Sequence, residues 1–134
     1  MNSGEHAAIG GVVAGVALRL VGAGDRSTAA AAGLWAYGVA VSVLIDVDHF
    51  PIARLVVGDW RHLRRVIADP ALVVVGQDGI FEVDFRRERL ASHLAVGAGL
   101  VAVLRHRAPA AAAVTAACLG AHVVADVLRD RDAV

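Results

Sequence analysis

Apolar positions collect in four stretches separated by polar links. Residues 7–23 run for 17 positions interrupted only by Arg19, and residues 27–45 carry no charge over 19 positions. Residues 90–104 hold His93 as their one polar ring, and residues 108–125 carry no formal charge over 18 positions while containing His122. All four are longer than strands usually run, rich in Ala and Leu, and poor in aromatic residues, which predicts helices. A membrane-spanning helix needs about 20 predominantly apolar residues, with about 17 workable. The second and fourth stretches meet that length, the first is borderline and the third falls short.

The links are unequal. Gly24-Asp25-Arg26 joins the first two stretches and Arg105-His106-Arg107 the last two, both short enough for antiparallel helical hairpins. The middle link, residues 50–89, is long. Its first part, residues 52–68, sets Arg54, Arg61, Arg64 and Arg65 among Leu55, Val56, Leu63, Val66 and Ile67, which predicts one basic amphipathic helix ended by Asp69-Pro70. Residues 72–75, the turn signal Gln77-Asp78-Gly79 and residues 80–85 suggest a small hairpin. Gly11 and Gly15 have a small-xxx-small spacing, and Gly97, Gly99 and Gly120 are further thin points for close helix approach. The expected architecture is all-α: one domain over residues 1–134, a four-helix up-down membrane bundle with a long amphipathic insertion.

Composition sharpens the choice of environment. Of 134 residues, 57% are hydrophobic and 19% charged, with mean hydropathy +0.62. Soluble domains carry about 25% charge, so the chain is either a membrane protein or an unusually apolar soluble bundle. The uncharged lengths of the second and fourth stretches favour the membrane. The start lacks a basic n-region and opens with Glu5 and His6, so a retained helix rather than a secretory signal is expected. Arginine supplies all 13 basic residues against 13 acidic ones, and zero net charge argues against a nucleic-acid partner. Membrane lipids are the expected partners. The single cysteine, Cys118, lies in an apolar run and acts as a small hydrophobe.

The polar residues on these apolar helices fall in a pattern. His6 opens the first, Asp46-Val47-Asp48-His49 closes the second, His93 opens the third, and His122 and Asp126 close the fourth. In an up-down arrangement all of these map to one end. His122 and Asp126 are i,i+4 and share a helix face, and Asp46 and His49 are i,i+3 and share another. Asp48 points elsewhere, toward a second ion or as a support for a ligand. Imidazole and carboxylate together suit zinc, iron or manganese. Singly, each group has an ordinary role: a histidine near a helix end caps it or makes a core hydrogen bond, and Asp126 pairs with Arg129 at i+3. Their convergence from four helix ends favours a metal site. His62 and His106, placed among arginines in links, are expected to be solvated.

The residues His6, Asp46-Val47-Asp48-His49, Arg89-x-x-Ser92-His93 and His122-x-x-x-Asp126 resemble the signature set of the YdjM-like metal-dependent hydrolases. These are small inner-membrane proteins distantly related to zinc phospholipase C and the zinc-dependent single-strand nucleases. The resemblance spans most of the chain and implies that His6, Asp46, Asp48, His49, His93, His122 and Asp126 are metal ligands or their supports. The family's third motif reads His-Arg-x-x-Thr-His-Ser, so Glu88 stands here where a histidine is usual.

Two functions compete. The first is a membrane-embedded hydrolase acting on a phosphoester by metal-activated water, with zinc the leading metal, Asp48 or Glu88 as general base, and Arg89 holding phosphate oxygens. The second is a non-enzymatic multi-pass module whose cluster binds a structural metal, or only hydrogen-bonds, and whose basic segment docks lipid or a protein partner. Nine arginines lie on the site side (seven in the middle link and two near the C-terminus) against four on the other. The positive-inside rule then predicts a cytoplasmic site and cytoplasmic termini.

Overall fold

The computed structural model describes residues 3–22, 26–72 and 85–132, and among them every regular element is helical. The expected hairpin over residues 72–85 lies almost wholly outside the described residues. Helix α1 spans Ser3–Leu20, with Glu5 in its first turn and Arg19 in its last, each matching the sign of the helix dipole there. Helix α2 spans Thr28–Leu44. Its start is fixed by Ser27, whose hydroxyl accepts the Ala30 N–H at 3.3 Å.

The chain does not leave the helix at Asp46. A 3₁₀ turn, Ile45–Asp48, carries it straight into α3, His49–Val57. The single amphipathic helix expected over residues 52–68 is in fact two. Gly58, at φ +90°, ends α3 in a left-handed conformation that favours glycine, and the Asp59 carboxylate then accepts the Arg61 N–H at 2.8 Å as α4, Arg61–Ala68, begins. Helix α5 covers Arg86–Leu104 and α6 covers Pro109–Asp132, Pro109 occupying a first helical position where its missing N–H is harmless.

Pairwise registers follow from individual contacts. A Cβ on Gly10 would overlap Ser42, and one on Gly38 would sit 2.7 Å from Ala14 Cβ, so α1 and α2 run antiparallel at close approach. Tyr37 and Thr115 share a 2.7 Å hydroxyl hydrogen bond, and further along both helices His122 Nδ1 reaches the Ser42 carbonyl, which sets α6 parallel to α2. Gly97 faces Leu119, with α5 against α6. The core between these helices is Ala14, Ala17, Leu18, Val114 and Cys118. Of the glycines expected to thin the interfaces, Gly11 and Gly97 meet a neighbour, whereas Gly15, Gly99 and Gly120 face open space. The closest approaches use Gly10 and Gly38 instead.

The outer surface is apolar. Val12, Val16, Leu20, Trp35, Val96, Val103, Val124 and Leu128 are all exposed. Two helical runs, Thr28–Val57 and Pro109–Asp130, are long and apolar enough to cross a membrane.

Candidate metal centre

Five separate elements deliver side chains to one region. His6 comes from the opening of α1, Asp46 from the 3₁₀ turn, His49 from the first residue of α3, His93 from α5, and His122 and Asp126 from one face of α6. All six are buried, and His6, His93 and His122 are at most 2% exposed. Water therefore solvates none of the three imidazoles to any useful degree.

The ligand-capable atoms form two groups that share one residue. His6, Asp46, His122 and Asp126 make the first, and Asp46, His49 and His93 the second, the atoms of each lying within 4.8 Å of one another. In the first, His6 Nε2 lies 3.4 Å from Asp126 Oδ1 and 3.6 Å from Asp46 Oδ2. His122 Nε2 lies 3.2 Å from Asp46 Oδ1 and 3.4 Å from Asp126 Oδ2. In the second, His49 Nε2 and His93 Nε2 each lie 3.4 Å from Asp46 Oδ1. Most of these separations exceed a good hydrogen bond. They match the edge of a coordination tetrahedron, which is about 3.3–3.4 Å when metal–ligand bonds are about 2.0–2.1 Å.

Hydrogen bonds at the far side of two rings decide which nitrogen faces inward. His122 Nδ1 donates to the Ser42 backbone carbonyl at 2.9 Å, an oxygen that can only accept. His93 Nδ1 donates to Asp48 Oδ2 at 2.9 Å. Each bond puts a proton on Nδ1 and turns Nε2 toward Asp46, so that the neutral form of either ring presents a lone pair there. Such outer partners are how metal-ligating histidines are held in tautomer and orientation. The rings also stack, His6 on His122 with centroids 3.8 Å apart and His49 on His93 at 5.2 Å.

The centre is under-satisfied by protein alone. Asp46 Oδ1 and Oδ2, His93 Nε2 and His122 Nε2 are buried with no hydrogen-bond partner among the described residues. A buried polar atom left without one costs about 1–3 kcal/mol, and here several acceptors face each other. Carboxylate oxygens against imidazole lone pairs repel unless cationic charge lies among them. The donor set and its spacing thus fit a divalent cation.

Several expected site residues take other places. Asp48 is not in either ligand group; its Oδ2 is engaged by His93 Nδ1, and its Oδ1 lies 3.9 Å from His49 Nε2. Glu88 is exposed in the first turn of α5, outside both groups. Arg89 is half-buried beside the centre, with Nε 3.8 Å from Asp126 Oδ2 and its terminal nitrogen 2.8 Å from Asp130 Oδ2. Asp126 therefore faces Arg89 rather than Arg129, which lies 3.9 Å from Glu5. His62 is buried, not solvated, being 2% exposed on the inner face of α4 with Leu63 and Val66. His106 is exposed as expected and accepts a hydrogen bond from Arg105 Nε at 2.9 Å. Sequence reasoning missed the Ser42 carbonyl and Asp130. Neither carries a spacing signal that singles it out.

Comparison with known proteins returns no match: no family model, no curated protein and no solved structure aligns with the chain.

Proposed function

We propose that this protein is a membrane-embedded, metal-dependent hydrolase of the YdjM-like kind that cleaves a phosphoester. The observation that carries the reading is Asp46, a buried carboxylate common to two groups of candidate ligands drawn from separate helices. A carboxylate so placed suits two cations, one per group, and two-metal sites suit in-line displacement at phosphorus because attacking and leaving oxygens both need stabilising. Zinc leads among the metals that suit such a set of imidazole and carboxylate donors, with iron and manganese behind it. Bound divalent cations supply Lewis acidity and draw a nucleophile from water near neutral pH.

The chain's own residues have separable tasks in this reading. Asp48 and the Ser42 carbonyl hold His93 and His122 in the ligating tautomer. Arg89, steadied by Asp130, offers a guanidinium at the edge of the centre for phosphate oxygens. The pairwise helix registers support a four-helix up-down arrangement of α1, α2, α5 and α6, with α3 and α4 inserted. The exposed apolar side chains, together with the two long apolar runs, support a multi-pass membrane setting. The arginine bias favours a cytoplasmic site.

Elemental analysis of detergent-purified protein tests the metal, and turnover of a chromogenic phosphodiester tests the chemistry. Bound zinc, iron or manganese should fall in His93→Ala and His122→Ala, and turnover should vanish in Asp46→Asn. Metal content unchanged in both histidine variants ends the metal reading. Metal bound without turnover of any phosphoester leaves a structural site and ends the hydrolase reading.

A further inference from the structure

The insertion between α2 and α5 places a charged stripe and an apolar face side by side. On α4, Arg61, Arg64 and Arg65 are exposed at i, i+3 and i+4, while His62, Leu63 and Val66 turn inward. Beside the stripe, Leu55 and Ile67 are 84% and 69% exposed, and Val56 and Trp60 are exposed as well. The Arg54 guanidinium lies 5.9 Å from the centre of the Trp60 ring, holding that indole at the junction of α3 and α4. Helix α3 continues the apolar run Thr28–Val57 and packs on α5 and the 3₁₀ turn that supplies Asp46, so this surface sits at the metal-centre end.

The geometry points to α3 and α4 as an interfacial platform that binds the headgroups of anionic phospholipids, with Leu55, Val56 and Ile67 seated among the acyl chains. The inference rests on the membrane reading above. Charge complementarity selects the occupant. Arginines on one face, with apolar side chains and a tryptophan beside them and an apolar span leading in, form an amphipathic surface suited to lie in a bilayer interface. Asp59 offsets part of the charge through Arg61, at 3.9 Å, so Arg64 is the main source of attraction. The platform would keep anionic lipid concentrated beside a centre suited to phosphoesters.

The two tryptophans allow separate readouts. Trp35 lies on the exposed apolar face of α2, so the full chain carrying Trp60→Phe reports insertion; Trp35→Phe leaves Trp60 as the reporter of the platform. Each is reconstituted into phosphatidylcholine vesicles containing an equal fraction of brominated phosphatidylcholine or brominated phosphatidylglycerol, whose bromines quench nearby indoles. Trp35 should be quenched equally by both. Trp60 should be quenched more by the brominated phosphatidylglycerol, and this preference should fall by up to about fivefold for each arginine removed in Arg64→Gln and Arg64→Gln/Arg65→Gln. High salt on the otherwise unchanged protein should erase it without any arginine substitution. If Trp35 is quenched but Trp60 shows no preference, or the preference survives both the substitutions and high salt, the platform is overturned while the membrane reading stands. If inorganic phosphate removes the preference at matched ionic strength, the stripe holds free phosphate, and the lipid assignment fails. If neither tryptophan is quenched, the membrane reading and the platform fail together.

Discussion

The helices meet in two contrasting ways along their length. In the middle, Gly10, Ala14 and Gly38 let α1, α2 and α6 approach so closely that Val114 and Cys118 fill the remaining space. Contact there is steric and largely apolar, and polar links such as Tyr37 to Thr115 and the Trp35 indole N–H to the Gly11 carbonyl are satisfied within the protein. At the site end these helices, with α3 and α5, surround Asp46, Asp126 and four imidazoles, and several inward-facing atoms find no hydrogen bond among the described residues. The difference teaches where specificity is stored. The small-residue seam needs nothing but its own shape, whereas the polar end gathers buried donors that could hold a metal ion.

Breaking the polar end should give the largest effect. Asp46→Ala removes the residue common to both ligand groups, so metal content should collapse at both and phosphodiester turnover should be lost; elemental analysis and assay of one preparation check this. Next comes metal removal. A cation present at a hundredfold its Kd adds about 2.7 kcal/mol to stability, so a chelator should lower the thermal midpoint in detergent, and readdition should restore it. Acid should do the same. Imidazole ligands must be neutral to bind, so retained metal should fall as acid protonates them, and this chelator-sensitive stabilisation should disappear with it.

Asp48→Asn sharpens the comparison at the edge of the site. It preserves shape but weakens the grip on His93 Nδ1, and loss of such an outer partner costs about 10–100-fold in metal affinity; a competition titration with a chromophoric chelator reads it. Gly38→Ala probes the seam. The added methyl would press on Ala14 and Val114 at 2.7 and 2.8 Å, an overpacking that costs about 1–3 kcal/mol, with metal stoichiometry unchanged. Ser42→Ala should be mildest. It removes a buried hydroxyl hydrogen bond to the Gly38 carbonyl, about 1 kcal/mol, while the backbone carbonyl that holds His122 stays in place.

Much of this was legible in the residues themselves. Long apolar runs rich in alanine and leucine announce helices, and the i,i+4 pair of His122 with Asp126 and the i,i+3 pair of Asp46 with His49 announce shared faces. Those signals are local, so one chain suffices to read them. What was not legible depends on distant neighbours. Nothing in Asp48 says that it braces a histidine until α5 brings His93 Nδ1 to 2.9 Å. The brace on His122 is a main-chain oxygen, which every residue possesses and no composition reveals. His62 looks solvated beside Arg61 and Arg64, yet α4 turns it inward, because a helix separates adjacent residues by about 100°. The choice of Gly10 and Gly38 over Gly15 and Gly99 likewise depends on which flank of each helix meets a partner.

The 3₁₀ turn between α2 and α3 has a consequence beyond its four residues. Tighter winding advances each residue by about 120° instead of about 100°, so four of them turn the following helix about 80° further around its axis than a straight continuation would. That offset eclipses Asp46 and His49 and at the same stroke points Ala53 inward and Leu55 outward. The turn is a phase shifter between the buried ligands and the exterior of α3. Relaxing it to ordinary α geometry would strengthen the local helix, yet it would misalign the two ligands and rotate the outer surface out of register together.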